Sequence, residues 1–347
     1  MTIRYKYIIA ILLFGVLLFT AACDSVSDIS LNVKRPARIA FPKYVDNVVI
    51  VNNAGFQPND EGHTFYSDRT EEKNDISTDS LSALMCRFLW ENVAEQNFFS
   101  EVNFYNIPVR EDDEHLSVKP ISSLKINDIV EQTQADAIIS LDYFYVKSLL
   151  SVKKFENYGI FEAVCEISVQ MQPTVYIPGE TGKSMVLVDT VFWESYGLNS
   201  DEALAGLPYL DDAVFVAVER AGETAGKALV PHEQIENRRY YASLSGDMHK
   251  AANAAIGNDW DKALNIWISV YEKSKKLNVR ARCAANIALA YEIRDDYLQA
   301  EEWAIQAHKE FVASGSAFGL NQSRYLESYI NRLKRRKIES TLLDIQE

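Results

Sequence analysis

After residue 22 the chain lacks any uninterrupted apolar run long enough to cross a membrane. A spanning helix needs roughly 20 consecutive apolar residues, and the one run at the beginning of the chain, Tyr7–Phe19, has only about 13. A chain with several membrane spans is therefore excluded. We expect the rest of the protein to lie outside the bilayer and to need a separate anchor if it is held at a membrane.

Positive charge is scarce relative to negative charge. The chain has 35 Lys and Arg residues against 49 Asp and Glu residues, which gives a formal net charge of −14. Such a chain repels phosphate backbones, so we expect no nucleic-acid partner. It gains nothing from anionic headgroups either, so a lipid rather than a basic patch would have to supply any membrane attachment.

Cysteine is also scarce, since the chain contains four. Cys86, Cys165 and Cys283 have neither the even number nor the spacing of a disulfide framework. Cys86 falls in a helical pattern, Cys165 in a strand pattern and Cys283 beside two alanines. We predict that all three are small buried hydrophobic residues.

A complete catalytic or metal-binding motif is missing as well. His232 and the glutamate after it begin like a zinc-protease helix, but Glu236 occupies the place of the second histidine. The segment 222–227 is one residue too short between its glycines for a phosphate-binding loop, and small residues in a helix favour close packing. The acidic run 111–114 lacks the alternating ligands and the glycine of a calcium loop. We predict no catalytic residues, no metal and no cofactor; an enzyme acting on envelope glycan or peptide stays open as a minor alternative.

The first 23 residues carry the clearest signal in the sequence. Arg4 and Lys6 precede the apolar run, and small residues lead to Cys23, which is typical of a secretory signal peptide. The segment Thr20-Ala21-Ala22-Cys23 resembles a bacterial lipobox, with Thr20 where leucine is usual. The resemblance implies a signal peptide over 1–22, a lipid on Cys23 and a lipidated tether over 23–35. It places the protein in the cell envelope of a Gram-negative bacterium; we expect the outer membrane, with the inner membrane as the alternative and the face left open. Ordinary cleavage that leaves a free cysteine, and an uncleaved anchor, are the alternatives.

The region 36–232 predicts an α/β domain. Its patterns indicate a long exposed loop over 57–79 and an order of strand, helix, strand, helix, three strands and a helix. The predicted helices cover 80–96, 124–133 and the segment from Pro208 to Pro231. This order favours the α+β class, with a mixed sheet and helices mainly on one face. It resembles the small α/β domain of envelope lipoproteins such as the curli-secretion lipoprotein and the amino-terminal domain of TolB.

The region 238–337 contains an internal repeat. Trp260 and Tyr297 stand 37 residues apart, and small residues recur at the same interval on both sides of them. The pattern resembles tetratricopeptide repeats, which implies an all-α helical-repeat domain. We expect Arg238–Tyr241 to begin the first repeat helix, a final helix to cover 316–337, and 338–347 to form a tail.

Several features occur together along the chain: the lipobox, the segment Arg35-Pro36-Ala37, Pro231, Arg238 with the Tyr240-Tyr241 pair, and the repeat block. This combination resembles a family of Bacteroidota lipoproteins with tetratricopeptide-like carboxyl-terminal halves. The resemblance implies a location and a fold, but no activity.

The tether and the repeats together predict a non-enzymatic scaffold or assembly factor that binds a protein partner. Repeat domains of this kind present a concave face to peptides. The repeat alignment places Arg282, Asn286, Leu289 and Glu292 in that groove, so we predict that they bind the partner. The alternative is an oligomeric component of an outer-membrane secretion apparatus that resembles the curli-secretion lipoprotein and assembles through the α/β domain.

Overall fold

The structure is a computed structural model and describes residues 26–67, 70–74, 76–78, 80–110, 112, 114–243 and 246–346. The predicted signal peptide and Cys23 lie outside these residues. The chain divides into two compact units, which we call the α/β unit (36–232 with 346) and the helical unit (26–35 with 233–345).

Strands and helices are numbered here along the described residues. The strands are β1 Val26–Arg35, β2 Asn47–Asn52, β3 His63–Ser67, β4 Thr70–Lys73, β5 Glu101–Tyr105, β6 Ala137–Phe155, β7 Ile160–Tyr176, β8 Lys183–Ser184, β9 Leu187–Gly197 and β10 His232–Tyr241. The helices are α1 Leu81–Glu95, α2 Ser123–Thr133, α3 Ser200–Ala205, α4 Leu210–Leu229, α5 Gly246–Ile256, α6 Trp260–Lys273, α7 Leu277–Ile293, α8 Tyr297–Ala313 and α9 Ala317–Gln346.

The α/β unit is built on a mixed sheet, as predicted. One path through the sheet runs β4-β3-β6-β2-β5, and β7 joins β6 to β9. Strand β2 is parallel to both β5 and β6, whereas β7 is antiparallel to β6 and β9. Buried on both sides, β2 is a continuous apolar run, Val48–Val51, which is typical of a central parallel strand.

Helices cover the two faces of this sheet unequally. Val48 and Ile50 pack into a large core with α1 and α4, whereas Val49 and Val51 pack into a smaller one with α2. Small residues in α4 permit close approach to α1: a methyl group on Gly222 would overlap the Cβ of Phe88. The prediction that segment 222–227 packs closely inside a helix is therefore confirmed, as is the prediction that helices lie mainly on one face.

On the side of the sheet that α2 covers elsewhere, the part of β6 after Tyr143 and the strands β7 and β9 beside it lack a covering helix. This holds for the described residues of the α/β unit. Core-facing side chains of β6 and β7, such as Val146 and Ile167, are buried, and most of those of β9 are half-buried. Their neighbours on the other face remain exposed or half-exposed, including Lys147, Glu166 and Phe192.

The helical unit contains two similar helix pairs, α5–α6 and α7–α8. At the turn of each pair a residue adopts a left-handed conformation, Asn258 (φ 61°) and Asp295 (φ 60°). The next residue caps the second helix, because the Asp259 carboxylate accepts from the Lys262 N–H and Asp296 from the Gln299 N–H. These equivalent turns confirm the helical repeat with its spacing of 37 residues.

Two predictions about the helical unit are wrong. The segment 26–35 is not a tether: it forms β1, whose Ile29 and Leu31 pack inward while alternate residues face water. Residues Arg238–Tyr241 do not begin a helix: they end β10, which pairs with β1. Strand β1 supplies the hydrogen-bond partners for the backbone of β10. A segment of four residues considered alone does not show that such a partner strand exists.

Two predicted boundaries also change. The last helix does not stop at 337, since α9 continues to Gln346 through the predicted tail. The predicted loop over 57–79 contains the hairpin of β3 and β4, in which β3 pairs with the extension of β6. No described helix is both long enough and apolar enough to cross a membrane.

Candidate functional site

The predicted partner-binding residues lie on α7, but they do not line an open groove. Asn286, Leu289 and Glu292 are buried, and Arg282 is half-buried with its guanidinium 4.8 Å from the centre of the Phe318 ring. The prediction of contact with a partner in a groove is therefore wrong for Asn286, Leu289 and Glu292, and it stays a prediction for Arg282. The physical reason is that β10 covers this face of the helix.

Asn286 binds the end of β10 as a neighbouring strand would. Its Oδ1 accepts a hydrogen bond from the Tyr241 N–H, and its Nδ2 donates to the Tyr241 carbonyl, both at 2.7 Å. These bonds satisfy two backbone groups that burial would otherwise leave unpaired. Asn286 therefore has a structural role.

Glu292 pairs with a second residue of β10. Both its oxygens lie 3.0 Å from the Arg238 Nε, and the Tyr329 hydroxyl donates to Oε2 at 2.7 Å. Burial disfavours the charged guanidinium, but the hydrogen bond and charge of Glu292 outweigh burial and raise the pKa of Arg238. Burial, followed by the charge of Glu292, raises the pKa of Tyr329 well above its usual range. The charges of this cluster are satisfied internally.

A polar cavity of about 730 Å³ lies elsewhere in the helical unit, and we call it the arginine cleft. It is formed by β1, β10 and α9, three elements distant in sequence. Its lining residues are Asp28, Ser30, Asn237, Arg239, Tyr325, Ser328 and Arg332.

Two arginines of the cleft lie next to the same aromatic ring. The guanidinium carbon is 4.9 Å from the centre of the Tyr325 ring for Arg239 and 5.6 Å for Arg332. Tyr325 also accepts a hydrogen bond from the backbone N–H of Arg239 at 3.2 Å and stacks on Tyr329, with a centroid separation of 6.2 Å. The rings therefore hold both cations beside the cavity.

The two arginines differ in their partners. Arg239 has an ion pair with Asp28, in which its Nε lies 3.7 Å from Oδ1. For Arg332 no hydrogen-bond acceptor or carboxylate is found among the described residues, and its Nε and Nη2 are sealed from solvent without one. Buried donors in proteins nearly always have acceptors, so an incompletely paired arginine beside a cavity indicates a site for an anionic group.

Sequence reasoning missed the cleft because it assigned the wrong position to its main residue. The helix predicted over 316–337 places Arg332 near its end, where a cation would complement the helix dipole. Since α9 ends at Gln346, Arg332 lies about four turns before the end, beyond the reach of that effect. The useful signal was the spacing of Tyr325, Tyr329 and Arg332, which places them on one face of the helix.

The α/β unit contains a second cluster of polar residues, at the carboxyl end of its parallel strands. The buried Asp142 accepts from Asn53 at 2.9 Å and from Ser140 at 2.6 Å on Oδ1, and from the Tyr176 hydroxyl at 2.5 Å on Oδ2. Burial, and then this hydrogen bond, raise the pKa of Tyr176. With both oxygens occupied, Asp142 is suited to holding the strand ends together rather than to proton transfer.

A cavity of about 360 Å³ next to Asn53 is lined by Arg110, Lys119 and Lys125. Asp112 accepts hydrogen bonds from Arg110 and Lys119, and these bonds lower the pKa of its carboxyl. Asp112 is a member of the acidic run considered above for calcium, whereas residues 111 and 113 lie outside the described residues. Two of the three cations therefore have carboxylate partners, which makes this cavity a weaker anion site than the arginine cleft.

The remaining candidate chemical groups are isolated or buried. Cys86, Cys165 and Cys283 are free and buried, which confirms their predicted role. Burial raises the pKa of Cys165 to about 11 and that of Cys283 to about 12, and it also raises that of Cys86. The part of the chain that the structure describes contains no group of His, Cys, Asp or Glu residues arranged to hold a metal ion.

Comparisons with known proteins gave two family matches. One family model, described as a domain of unknown function (DUF8603), matches residues 45–241. A second, described as a domain of unknown function (DUF6340), matches residues 249–335. A search of curated proteins gave no match. The first model covers more than half of the chain, and the chain therefore belongs to the DUF8603 family.

Proposed function

We propose that the protein is a non-enzymatic, lipid-anchored scaffold of the cell envelope that binds an acidic segment of a protein partner in the arginine cleft. The observation that carries the proposal is Arg332, a half-buried cation with no acceptor among the described residues. The lipid on Cys23, the outer-membrane location and the relation to Bacteroidota lipoproteins belong to the same proposal and rest on the sequence.

The energetics of binding in the cleft depend on the guanidinium of Arg332. Removing part of a charged group from water is unfavourable unless an opposite charge or a hydrogen-bond acceptor replaces the water. A carboxylate that enters the cleft can supply both to the guanidinium at Nη1, the nitrogen that is not sealed from solvent, and a hydrogen bond to a charged group contributes about 1.5–3 kcal/mol. Arg239 lies around the same tyrosine and adds a second cation, which Asp28 only partly neutralises.

The size of the cleft favours a peptide segment. Its volume of about 730 Å³ falls within the roughly 300–1,000 Å³ typical of ligand sites. Ser30, Asn237 and Ser328 add hydroxyl and amide groups that can bind a peptide backbone. The net charge of −14 disfavours acidic partners only at long range, because salt screens charges beyond about 8 Å.

The position of β1 links the cleft to the proposed anchor. β1 begins at Val26, three residues after Cys23, and three peptide steps reach at most about 11 Å. A lipid on Cys23 would therefore hold the helical unit, and the cleft that includes Asp28 and Ser30, close to the bilayer surface. A scaffold in this position would bind partners that are themselves at the membrane.

The proposal is tested with the full chain in neutral detergent and a labelled hexaglutamate peptide, measured by fluorescence anisotropy. A hexaglutamine peptide of equal length is the uncharged control. We expect hexaglutamate to bind, and Arg332→Gln to weaken binding at least about tenfold, as loss of a hydrogen bond between charged groups requires. Arg239→Gln should weaken it less, because Asp28 already neutralises part of that charge.

Lys334→Gln is the matched control, since it removes one exposed positive charge from α9 outside the cleft. Equal binding by the Arg332→Gln and Lys334→Gln variants would contradict the proposal, as would equal affinity for hexaglutamine. A further arm measures binding to vesicles with and without anionic lipid. Arg332-dependent binding to anionic vesicles without any binding of hexaglutamate would overturn the protein partner in favour of a lipid headgroup.

A further inference from the structure

We infer that the uncovered side of the sheet in the α/β unit is a surface for self-association with a second copy of this chain. We call this surface the open face and define it by Tyr66 of β3, Lys153 of β6, Glu162 of β7, and Val188, Phe192 and Tyr196 of β9. The inference uses none of the residues of the arginine cleft and does not depend on the proposed function.

The register of the strands brings these side chains together. Lys153 pairs in register with Glu162, and Glu162 with Tyr196, so the three form one row across β6, β7 and β9. Two rows further along on the same face, Phe192 stands opposite Glu166. Because side chains alternate between the faces of a strand, all of these residues point away from the core under α4.

Large apolar groups are exposed on this face. Phe192 is 64% exposed, Val188 56% and Tyr196 55%. All three lie on the same side of β9, each four residues from the next. Polar residues stand between them, so the face offers separate large side chains in a polar surface rather than one apolar patch. Aromatic side chains also contribute strongly to binding at interfaces.

The charges on the open face indicate which partner it fits. Of the two exposed lysines of this face on β6, Lys153 stands opposite Glu162 of β7, whereas Lys147 stands opposite Ser168. A twofold axis parallel to the strands and between β6 and β7 places β6 of one copy over β7 of the other. Lys153 of each copy then faces Glu162 of the second copy, so the surface is complementary to itself.

The available area is also suitable. Strands lie about 4.8 Å apart and rise about 3.4 Å per residue, so β6, β7 and β9 over the length of β9, together with the five residues of β3, present roughly 600 Å². A stable interface buries about 800 Å² per partner, and two sheets pack face to face about 10 Å apart. A sheet-on-sheet dimer therefore buries an area at the lower end of the standard size.

Charge reversal tests the inference, with the full chain in density-matched detergent and sedimentation equilibrium at several concentrations. We expect a dimer whose dissociation constant rises at least about tenfold for either Lys153→Glu or Glu162→Lys, because each places like charges opposite one another. The double variant Lys153→Glu with Glu162→Lys restores opposite charges and should return to within about threefold of the original value.

A second pair of variants tests the apolar part of the surface. Phe192→Ser should raise the dissociation constant at least about tenfold, because the dimer loses two buried rings. Tyr209→Ser is the matched control: Tyr209 is 85% exposed and precedes α4, outside the open face. A wild-type chain that stays monomeric up to about 100 µM, well above the range of specific dimers, would overturn the inference. So would a charge-swapped double variant no better than the single ones, or equal weakening by Tyr209→Ser.

Discussion

The two units differ in whether the chain covers one face of its own secondary structure. In the helical unit, the face of α7 that carries Asn286 and Glu292 is covered by β10 of the same chain. In the α/β unit, the face of β9 that carries Phe192 and Tyr196 is left uncovered by the described helices. The difference follows the chemistry of the side chains: the amide and the carboxylate are paired inside, whereas the aromatic residues remain in contact with water.

This difference shows where a partner can bind. A partner that displaced β10 would have to replace the paired charges of Arg238 and Glu292, and leaving one of them buried without its partner is strongly unfavourable. A partner on the open face only displaces water from apolar and aromatic surface, which is favourable. A partner is therefore expected to bind where the chain leaves a surface exposed to water, and not where its own segments already pair the charged groups.

The largest effect is expected when the ion pair between α7 and the strand β10 that covers it is removed. Glu292→Ala leaves the buried guanidinium of Arg238 without its main partner and should reduce the free energy of unfolding of the helical unit by about 3–5 kcal/mol. Urea denaturation measures the loss. Hydrogen exchange followed by mass spectrometry should show faster exchange in β10 and α7 than in the α/β unit.

The control for this variant is Glu272→Ala, which removes an exposed carboxylate from α6. It should change stability by less than about 0.5 kcal/mol. Replacing both members of the pair, Arg238→Met with Glu292→Leu, should recover part of the stability, because the ion pair is removed as a unit and Glu236 keeps its ion pair with Arg35. A loss in the double variant as large as in Glu292→Ala alone would show that the ion pair is not the cause.

The helices and most strands could be predicted because their signals are local. Leu81–Glu95 and Leu210–Leu229 have apolar residues at helical spacing, and β7 and β9 alternate with a period of two. The helical repeat was visible from the recurrence of Trp260 as Tyr297 at equivalent turns. Such patterns need no knowledge of distant contacts.

Strands β1 and β10 could not be predicted because each is defined by the other. Ser30 donates a hydrogen bond to Asn237 at 2.9 Å, across a sequence separation of 207 residues. Within β10, the short run Arg238–Tyr241 fits a helix as well as a strand. The mistaken groove on α7 followed from this error, because the strand that covers it was taken for a helix.

A smaller effect is expected where α4 packs on α1 over the covered face of the sheet. Gly222→Ala forces a methyl group against the Cβ and backbone of Phe88 and should destabilise the α/β unit by about 1–3 kcal/mol. Gly257→Ala is the control, because its methyl group would meet atoms of Asn253 and Ala254 only at ordinary distances of 3.4 and 3.5 Å. Thermal denaturation compares the two variants. Equal transition midpoints would show that α1 and α4 can move apart at little cost in free energy.

The arginine cleft illustrates why sites are harder to predict than elements. Its residues come from β1, β10 and α9, and two of these three elements were assigned wrongly from the sequence. Tyr325 and Arg332 were visible as an aromatic and a basic residue on one helix. That the arginine lacks an acceptor depends on the positions of all neighbouring side chains, which no local pattern contains.

The smallest effect is expected on the open face, and it completes the comparison between a covered and an uncovered surface. Val188→Thr keeps the β-branched shape at an exposed position, so the free energy of unfolding should change by no more than about 0.5 kcal/mol. Val169→Thr makes the same chemical change on the covered face of β7, where a buried hydroxyl without a partner costs about 1–3 kcal/mol. Urea denaturation of the two variants at low protein concentration separates the faces. An equal loss in both would mean that the open face is covered in solution even when the chain is dilute, and that the difference between the two sides of the sheet does not exist.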